Sequence, residues 1–252
     1  STLAQVGSLT NWAACAGGFH FATAIKTDGT SWSWGDGDQY GYFRDSSTDY
    51  SSPVQSGSDT DRWGASSYPP SGGWENGVEM QKVFACGYYH TSLIKSDGTL
   101  WGGGLNTSGE LGFAGEGSSP SQVGSESDWE GIAAGEMWGL GINDGEGLTW
   151  GGDNSYGNLG NGTTSVVIGT HYSWGSTVSR VGANLNASAQ TQALGAMIIG
   201  GELWVAGYNA YGMLGTGDHS SVTYSSPVQV GSDDNWVNVI STGFATLGVK
   251  EE

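Results

Sequence analysis

The chain has 252 residues, a length that all-β architectures of ~200 to 250 residues fill as one domain. Its 46 glycines and 5 prolines suit tight turns, and its 12 tryptophans and 11 tyrosines exclude low-complexity disorder. With 7 basic residues against 25 acidic ones, the formal net charge of −18 repels a phosphate backbone and excludes duplex binding from the expected functions.

In chain order, the start STLAQVGSLT lacks a basic and apolar leader, and no run approaches the ~18 apolar residues of a membrane span. A start at Ser1 fits loss of an initiator methionine, and 1–252 is expected to be one complete domain. Residues 4–7, AQVG, read as an isolated closing strand, here called D. The first unit follows: strand A around WAACA, strand B at ATAIK, strand C in DGTSWSWGDGDQYG at 28–41, and a second D strand in SSPVQ at 51–55. Further copies are KVFACGYYHTSLIKSDG at 82–98, DGTLWGGGLNTSGELG at 97–112, SSPSQVG at 118–124, GSESDWEGIAAGEMWGLGINDG at 124–145 and EGLTWGGDNSYGNLG at 146–160. GELWVAGYNAYGMLG at 201–215, SSPVQVG at 225–231 and GSDDNWVNVISTGFATLGVK at 231–250 complete the series. Gly35, Gly104, Gly152 and Gly207 mark the period at spacings of 69, 48 and 55, and periods near fifty point to propeller blades.

Short apolar runs bounded by turn residues predict strands throughout, with no sustained helical period. The Asp-Gly pairs of KTDGT and KSDGT predict type I′ hairpins with Gly29 and Gly98 in the turn. Trp12, Trp63, Trp129 and Trp236 before strand A, and Trp32, Trp101 and Trp204 in strand C, are expected to be core layers. His20 and His90 match as repeat equivalents with Trp138 in the third unit, so they are read as structural. That match leaves Cys15 and Cys86 one residue out of register, and both are expected to be reduced and buried.

No nucleophile elbow, phosphate loop or H-E-x-x-H helix occurs, and DGDQYG at 36–41 lacks the spaced carboxylates of a calcium loop. No catalytic, cofactor-binding or metal-binding residue is therefore assigned. The candidate partner-binding residues lie on two insertions: Tyr68 and Trp74 at 64–81, between D and the next A, and His171, Tyr172 and Trp174 at 160–179, between C and D. A four-stranded meander puts these two connections on opposite faces.

Asn106, Gly109, Leu111 and Gly112, with Asn154, Gly157, Leu159, Gly160 and Asn209, Gly212, Leu214, Gly215, form N-x-x-G-x-L-G. Together with the tryptophan and glycine hairpins, this resembles the regulator of chromosome condensation repeat. The first unit departs, with Asp38, Gly41, Tyr42 and Phe43 in that region. The resemblance implies an all-β propeller. Such families usually close about seven blades, whereas this chain supplies four complete four-stranded repeats and a partial one, expected as five blades closed by the amino-terminal strand. Phrasing such as SSPVQVGS and AIKTDGT is similar to the forms of marine tailed bacteriophages. That likeness implies a non-enzymatic structural or interaction protein, such as a virion capsid-decoration, tail or fibre component, located in the virion or outside cells, and otherwise cytoplasmic. Its partners would be capsid or tail proteins, with no nucleic acid and no membrane insertion. The alternatives are a carbohydrate-binding module for host-surface glycans and an exchange-factor-like protein-binding propeller.

Overall fold

The computed structural model describes residues 5, 7–37, 48–57, 84–115, 117, 119–165, 168–183, 194–241 and 245–251. Alternating apolar runs and glycine turns there form antiparallel meanders. The first is β1 (Trp12–Gly17), β2 (Phe21–Lys26), β3 (Ser31–Gly35) and β4 (Tyr50–Gln55). The second is β5 (Phe84–Cys86), β6 (His90–Ile94), β7 (Leu100–Gly104) and β8 (Ser121–Gln122). The third is β9 (Trp129–Ala134), β10 (Trp138–Asn143), β11 (Glu146–Gly151) and β12 (Tyr172–Gly175). The fourth is β13 (Val178–Ala183), β14 (Leu194–Ile199), β15 (Glu202–Tyr208) and β16 (Thr223–Gln229). A half-blade of β17 (Trp236–Ser241) and β18 (Thr246–Lys250) ends the series. Four complete blades and a partial one are as the repeats lead one to expect. Of the expected closing strand at 4–7, residues 4 and 6 lie outside the described residues.

Strand register refines the repeat alignment. Phe21, His90, Trp138 and Leu194 pair with Gly35, Gly104, Gly151 and Gly207, whose φ angles are 118°, 113°, 121° and 125°. The repeating glycine of the third blade is thus Gly151, not Gly152, and the equivalent of His90 is Phe21, not His20. The cysteines consequently lie two residues apart in the repeat, Cys15 opposite Ala24 and Cys86 opposite Thr91. Cys86 is buried as expected, but Cys15 is exposed. In β5 and β9 the strand face that carries Cys15 is covered by the preceding blade, and β1 has no such neighbour among the described residues.

The hairpin expectation needs a similar correction. In KTDGT, Lys26 N–H donates to the Thr30 carbonyl and Gly29 N–H to the Lys26 carbonyl, both at 3.0 Å, while only Gly29 has positive φ, at 81°. This is a three-residue turn with a glycine bulge, repeated at Lys95 to Thr99. The side chain explains it: Asp28 accepts the Thr30 N–H at 3.0 Å and its hydroxyl at 2.6 Å, and that hydroxyl accepts the Trp32 indole N–H at 2.9 Å. Type I′ geometry occurs instead at Asp144 (φ 47°) with Gly145 (φ 71°) and at Gly200 (φ 60°) with Gly201 (φ 89°).

The core consists of seams between successive blades. Ile25 shares a cluster with Phe84, Ile94 with Ile132, Ile142 with Val181, and Ile198 with Val239. In each pair the first residue lies on a blade's second strand and the other on the inner strand of the next blade. The third blade also departs from the repeat: the segment read as an insertion at 160–179 supplies its outer strand β12, and β13 begins two residues later.

Candidate functional site

Two kinds of connection build one face of the propeller. The loops after the third strands are organised by the buried signature asparagines. Asn106, Asn154 and Asn209 accept the N–H of Leu111, Leu159 and Leu214 at 2.9, 3.0 and 3.0 Å through Oδ1. Their amides donate back across the loop, Asn106 to the Phe113 and Gly115 carbonyls and Asn154 to those of Thr163 and Ser165. The three leucines this fixes are fully buried, each worth roughly 2 kcal/mol of transfer free energy.

The turns between first and second strands share that face. Gly18, Gly87 and Gly135 each donate N–H to the residue that opens the next strand, Phe21, His90 and Trp138, at 2.9, 2.7 and 2.9 Å. The rings of these residues sit so close that a Cβ on any of the three glycines would lie 2.0 Å from a ring atom. The turn tips are therefore pinned to the core, and the residues after each glycine point outward. They are also laced together, Phe19 N–H to the Tyr88 carbonyl at 3.3 Å and Tyr88 N–H to the Glu136 carbonyl at 3.1 Å.

The result is an aromatic patch with an acidic rim. Phe19, 42% exposed, stacks on Tyr88 with centroids 4.1 Å apart and planes 16° apart. His20 meets Phe19 edge-on at 4.1 Å, and Tyr89 meets Tyr88 edge-on at 4.2 Å. Burial, then the Tyr89 hydrogen bond and charge, then Glu136, push the Tyr88 phenol up to about 12. The Glu136 carboxyl is raised by burial and by the charge of Asp153. On the same face Tyr211 is 87% exposed and held at φ 59°, a left-handed conformation unusual for a bulky residue. This surface can receive an apolar or cationic group. Among the described residues no group of three or more His, Cys, Asp or Glu could hold a metal ion.

The candidates on the C to D connection are engaged with the fold. His171 Nε2–H donates to the Gly112 carbonyl at 3.1 Å, and its ring lies 5.3 Å from Trp150 and 6.0 Å from Trp129. Burial lowers its pKa, opposed by the Gly112 hydrogen bond and by Glu126. Trp174 donates its indole N–H to the Leu159 carbonyl at 2.7 Å, and Tyr172 lies half-buried in β12 opposite Thr149. Tyr68 and Trp74 lie outside the described residues. Sequence reasoning passed over Phe19, Tyr88 and Tyr211. The available signal was two consecutive aromatic or imidazole residues in a tight turn, FH and YY, where small polar residues are the rule.

Inner strands of all five blades line an axial cleft of about 270 Å³, among them Ala16, Ala85, Ala133, Gly182 and Ile240. No helix in the described residues is long and apolar enough to cross a membrane.

No family model matches the chain. Among solved structures it is similar to human WBSCR16, with a TM-score of 0.71 and 20% identity over 95% of this chain and 58% of that one. It is also similar to Prp20p from Saccharomyces cerevisiae, with a TM-score of 0.71 and 17% identity over 100% and 58%. A further match is yeast RCC1 (Prp20) in a structure with Kap60, at a TM-score of 0.55 and 14% identity over 95% and 68%. The chain thus spans 58% of the length of the first two. Its register, seams and asparagine loops, with these likenesses, give it the fold of a β-propeller of the regulator of chromosome condensation type.

Proposed function

We propose that the chain is a non-enzymatic interaction propeller that receives a protein partner on the face bearing the Phe19–Tyr88 stack. The observation that carries this reading is the stack itself: a flat aromatic pair, Phe19 exposed and Tyr88 half-buried, fixed by backbone hydrogen bonds to two blades. Rigid aromatic rings lose little entropy on burial and commonly anchor interfaces. Glu136, Asp153 and the net charge of −18 favour a contacting segment that carries Lys or Arg. Half-buried His171, Tyr172 and Trp174 would extend the contact on the same face, and the connection with Tyr68 and Trp74 would serve a second partner on the opposite one. The structure of Prp20p is described with its binding to Gsp1p and histones, and that of yeast RCC1 with Kap60 bound, which supports protein as the class of partner. Supporting the narrower role, a bacteriophage virion component whose partner is a capsid or tail protein, is the wording of the SSPVQVGS and AIKTDGT repeats. A sugar-binding module is the competing reading, since a flat aromatic pair also suits a pyranose.

The test compares wild type with the Phe19→Ala, Tyr88→Ala double variant in affinity capture from the source cells or particles and on a glycan array. A captured protein lost with the double variant at an unchanged melting temperature supports the proposal. Glycan binding lost in the same way supports the sugar module instead, and capture indifferent to both substitutions contradicts the assignment of this face.

A further inference from the structure

We propose that Asn161 is a self-modification site, at which the backbone nitrogen of Gly162 closes on the side-chain amide and expels ammonia, with the seam between the third and fourth blades as its brake. The site does not depend on which partner the aromatic face receives. Asn161 and Gly162 form the one Asn-Gly pair among the described residues, and glycine leaves the attacking nitrogen unshielded by any Cβ. In the reaction hydroxide takes the Gly162 amide proton, the nitrogen bonds to Asn161 Cγ, and the Cγ–Nδ2 bond breaks as Nδ2 takes a proton from water and leaves as ammonia. Water then opens the resulting succinimide at either carbonyl, giving an aspartyl or an isoaspartyl linkage at position 161.

The loop of the third blade activates the carbon under attack. Asn161 Oδ1 accepts the Asn154 amide N–H, the Thr163 backbone N–H and the Thr163 hydroxyl, each at 3.0 Å. Negative charge develops on this oxygen as the nitrogen adds, and donors already aimed at it stabilise the tetrahedral intermediate as they do in an oxyanion hole. The opposing contact comes from the fourth blade. Gly162 N–H donates to the Ser225 carbonyl of β16 at 2.7 Å, so the nitrogen keeps its proton while that bond holds. Reaction is thereby confined to molecules whose seam is locally open. The product undoes part of the loop: Asn161 Nδ2 donates to the Ser165 carbonyl at 2.9 Å, and a carboxylate has no proton to offer there. An irreversible charge thus accumulates on the loop in proportion to the time the two blades spend apart.

Incubating the folded protein in mildly alkaline buffer, with peptide mapping by mass spectrometry and isoaspartyl methyltransferase labelling over time, reads the conversion of Asn161. In Gly157→Ala the new Cβ would lie 2.6 Å from the Ser225 Cα, at a position with φ 71°, so the seam opens and conversion is expected to run roughly tenfold faster. Thr163→Val removes one donor from Oδ1 on an exposed stretch of the loop and is expected to slow conversion roughly tenfold, short of the ~10²-fold lost in a dry enzyme site because this loop is wet. Adding Thr163→Val to Gly157→Ala keeps the test sound if the glycine variant melts early, since only a folded loop responds to loss of the hydroxyl. A Gly157→Ala rate no faster than wild type removes the brake, a Thr163→Val rate no slower removes the activation, and either result overturns the proposal.

Discussion

The backbone N–H of Trp129 donates to the carbonyl of Gly98, 3.1 Å away in the preceding blade. Val178 with Gly145 and Trp236 with Gly201 repeat the bond at 2.9 Å, so the inner strands β9, β13 and β17 each start from the hairpin glycine of the blade before. The propeller is aligned by this contact as much as by apolar seams.

Gly98 sits at φ 79°, and a Cβ there would lie 1.8 Å from the Ser127 carbonyl oxygen, which is backbone and cannot swing away. Gly98→Ala is therefore expected to cost about 3 kcal/mol or more, combining left-handed strain with a displaced seam. Gly145, at φ 71° with open space around its Cβ position, should lose only about 1 kcal/mol as Ala. Urea denaturation of the two variants checks the ordering, and equal losses would mean that the close approach carries no energy.

Asn154 donates to Asn161 Oδ1 and to the Thr163 and Ser165 carbonyls while accepting the Leu159 N–H. Asn154→Ala leaves buried groups on both sides unpaired, and a loss of roughly 2–4 kcal/mol is expected. Asn154→Asp keeps the acceptor but turns a charge toward three oxygens, so it should not rescue stability. Thermal melts of the two variants decide this, and a stable Asp variant would contradict the assigned amide orientation.

His90 is fully buried, and neither ring nitrogen has a hydrogen-bond partner. Burial pushes its pKa down to about 4 from the ordinary 6.5. The unfolded chain therefore binds a proton below about pH 6.5 that the folded chain refuses until about pH 4, so stability falls as pH falls through that window. The full difference corresponds to about 3 kcal/mol. His171, also lowered by burial, adds in the same direction, while Glu110, raised by burial, opposes. His90→Phe, which copies Phe21 at the equivalent position, should melt close to wild type at neutral pH and fall less at pH 5. Parallel pH profiles of the two proteins would refute the role of this imidazole.

Tyr211 holds a strained left-handed conformation with its side chain in solvent, so Tyr211→Gly should gain about 1 kcal/mol of stability. If the exposed ring serves the partner face, the stabilised variant binds its partner more weakly. Calorimetric melting and partner titration together check both signs, and a gain in stability without a change in binding would remove Tyr211 from the interface.

Much of the fold was legible because glycine turns and buried leucines carry their reasons locally. DGTSW, DGTLW and N-x-x-G-x-L-G name the turn, the indole partner and the loop organiser within a few residues. The third outer strand was not legible, because Tyr172 and Trp174 replace the SSP pattern, and β13 opens with Val178 where β1, β9 and β17 have tryptophan. The exposure of Cys15 was hidden for another reason: burial there depends on whether a blade precedes it, which a local pattern does not encode. The partner face was missed because its stack joins turn tips 69 residues apart, Phe19 and Tyr88, which only the blade geometry brings together.

A photo-crosslinking amino acid placed at Phe19, and separately at exposed Thr27 on the opposite turn of the same blade, tests the central claim most directly. The account predicts a discrete protein adduct from position 19 that disappears when Tyr88 becomes Ala and that position 27 does not form. The same adduct from both positions, or no adduct from position 19, would contradict it.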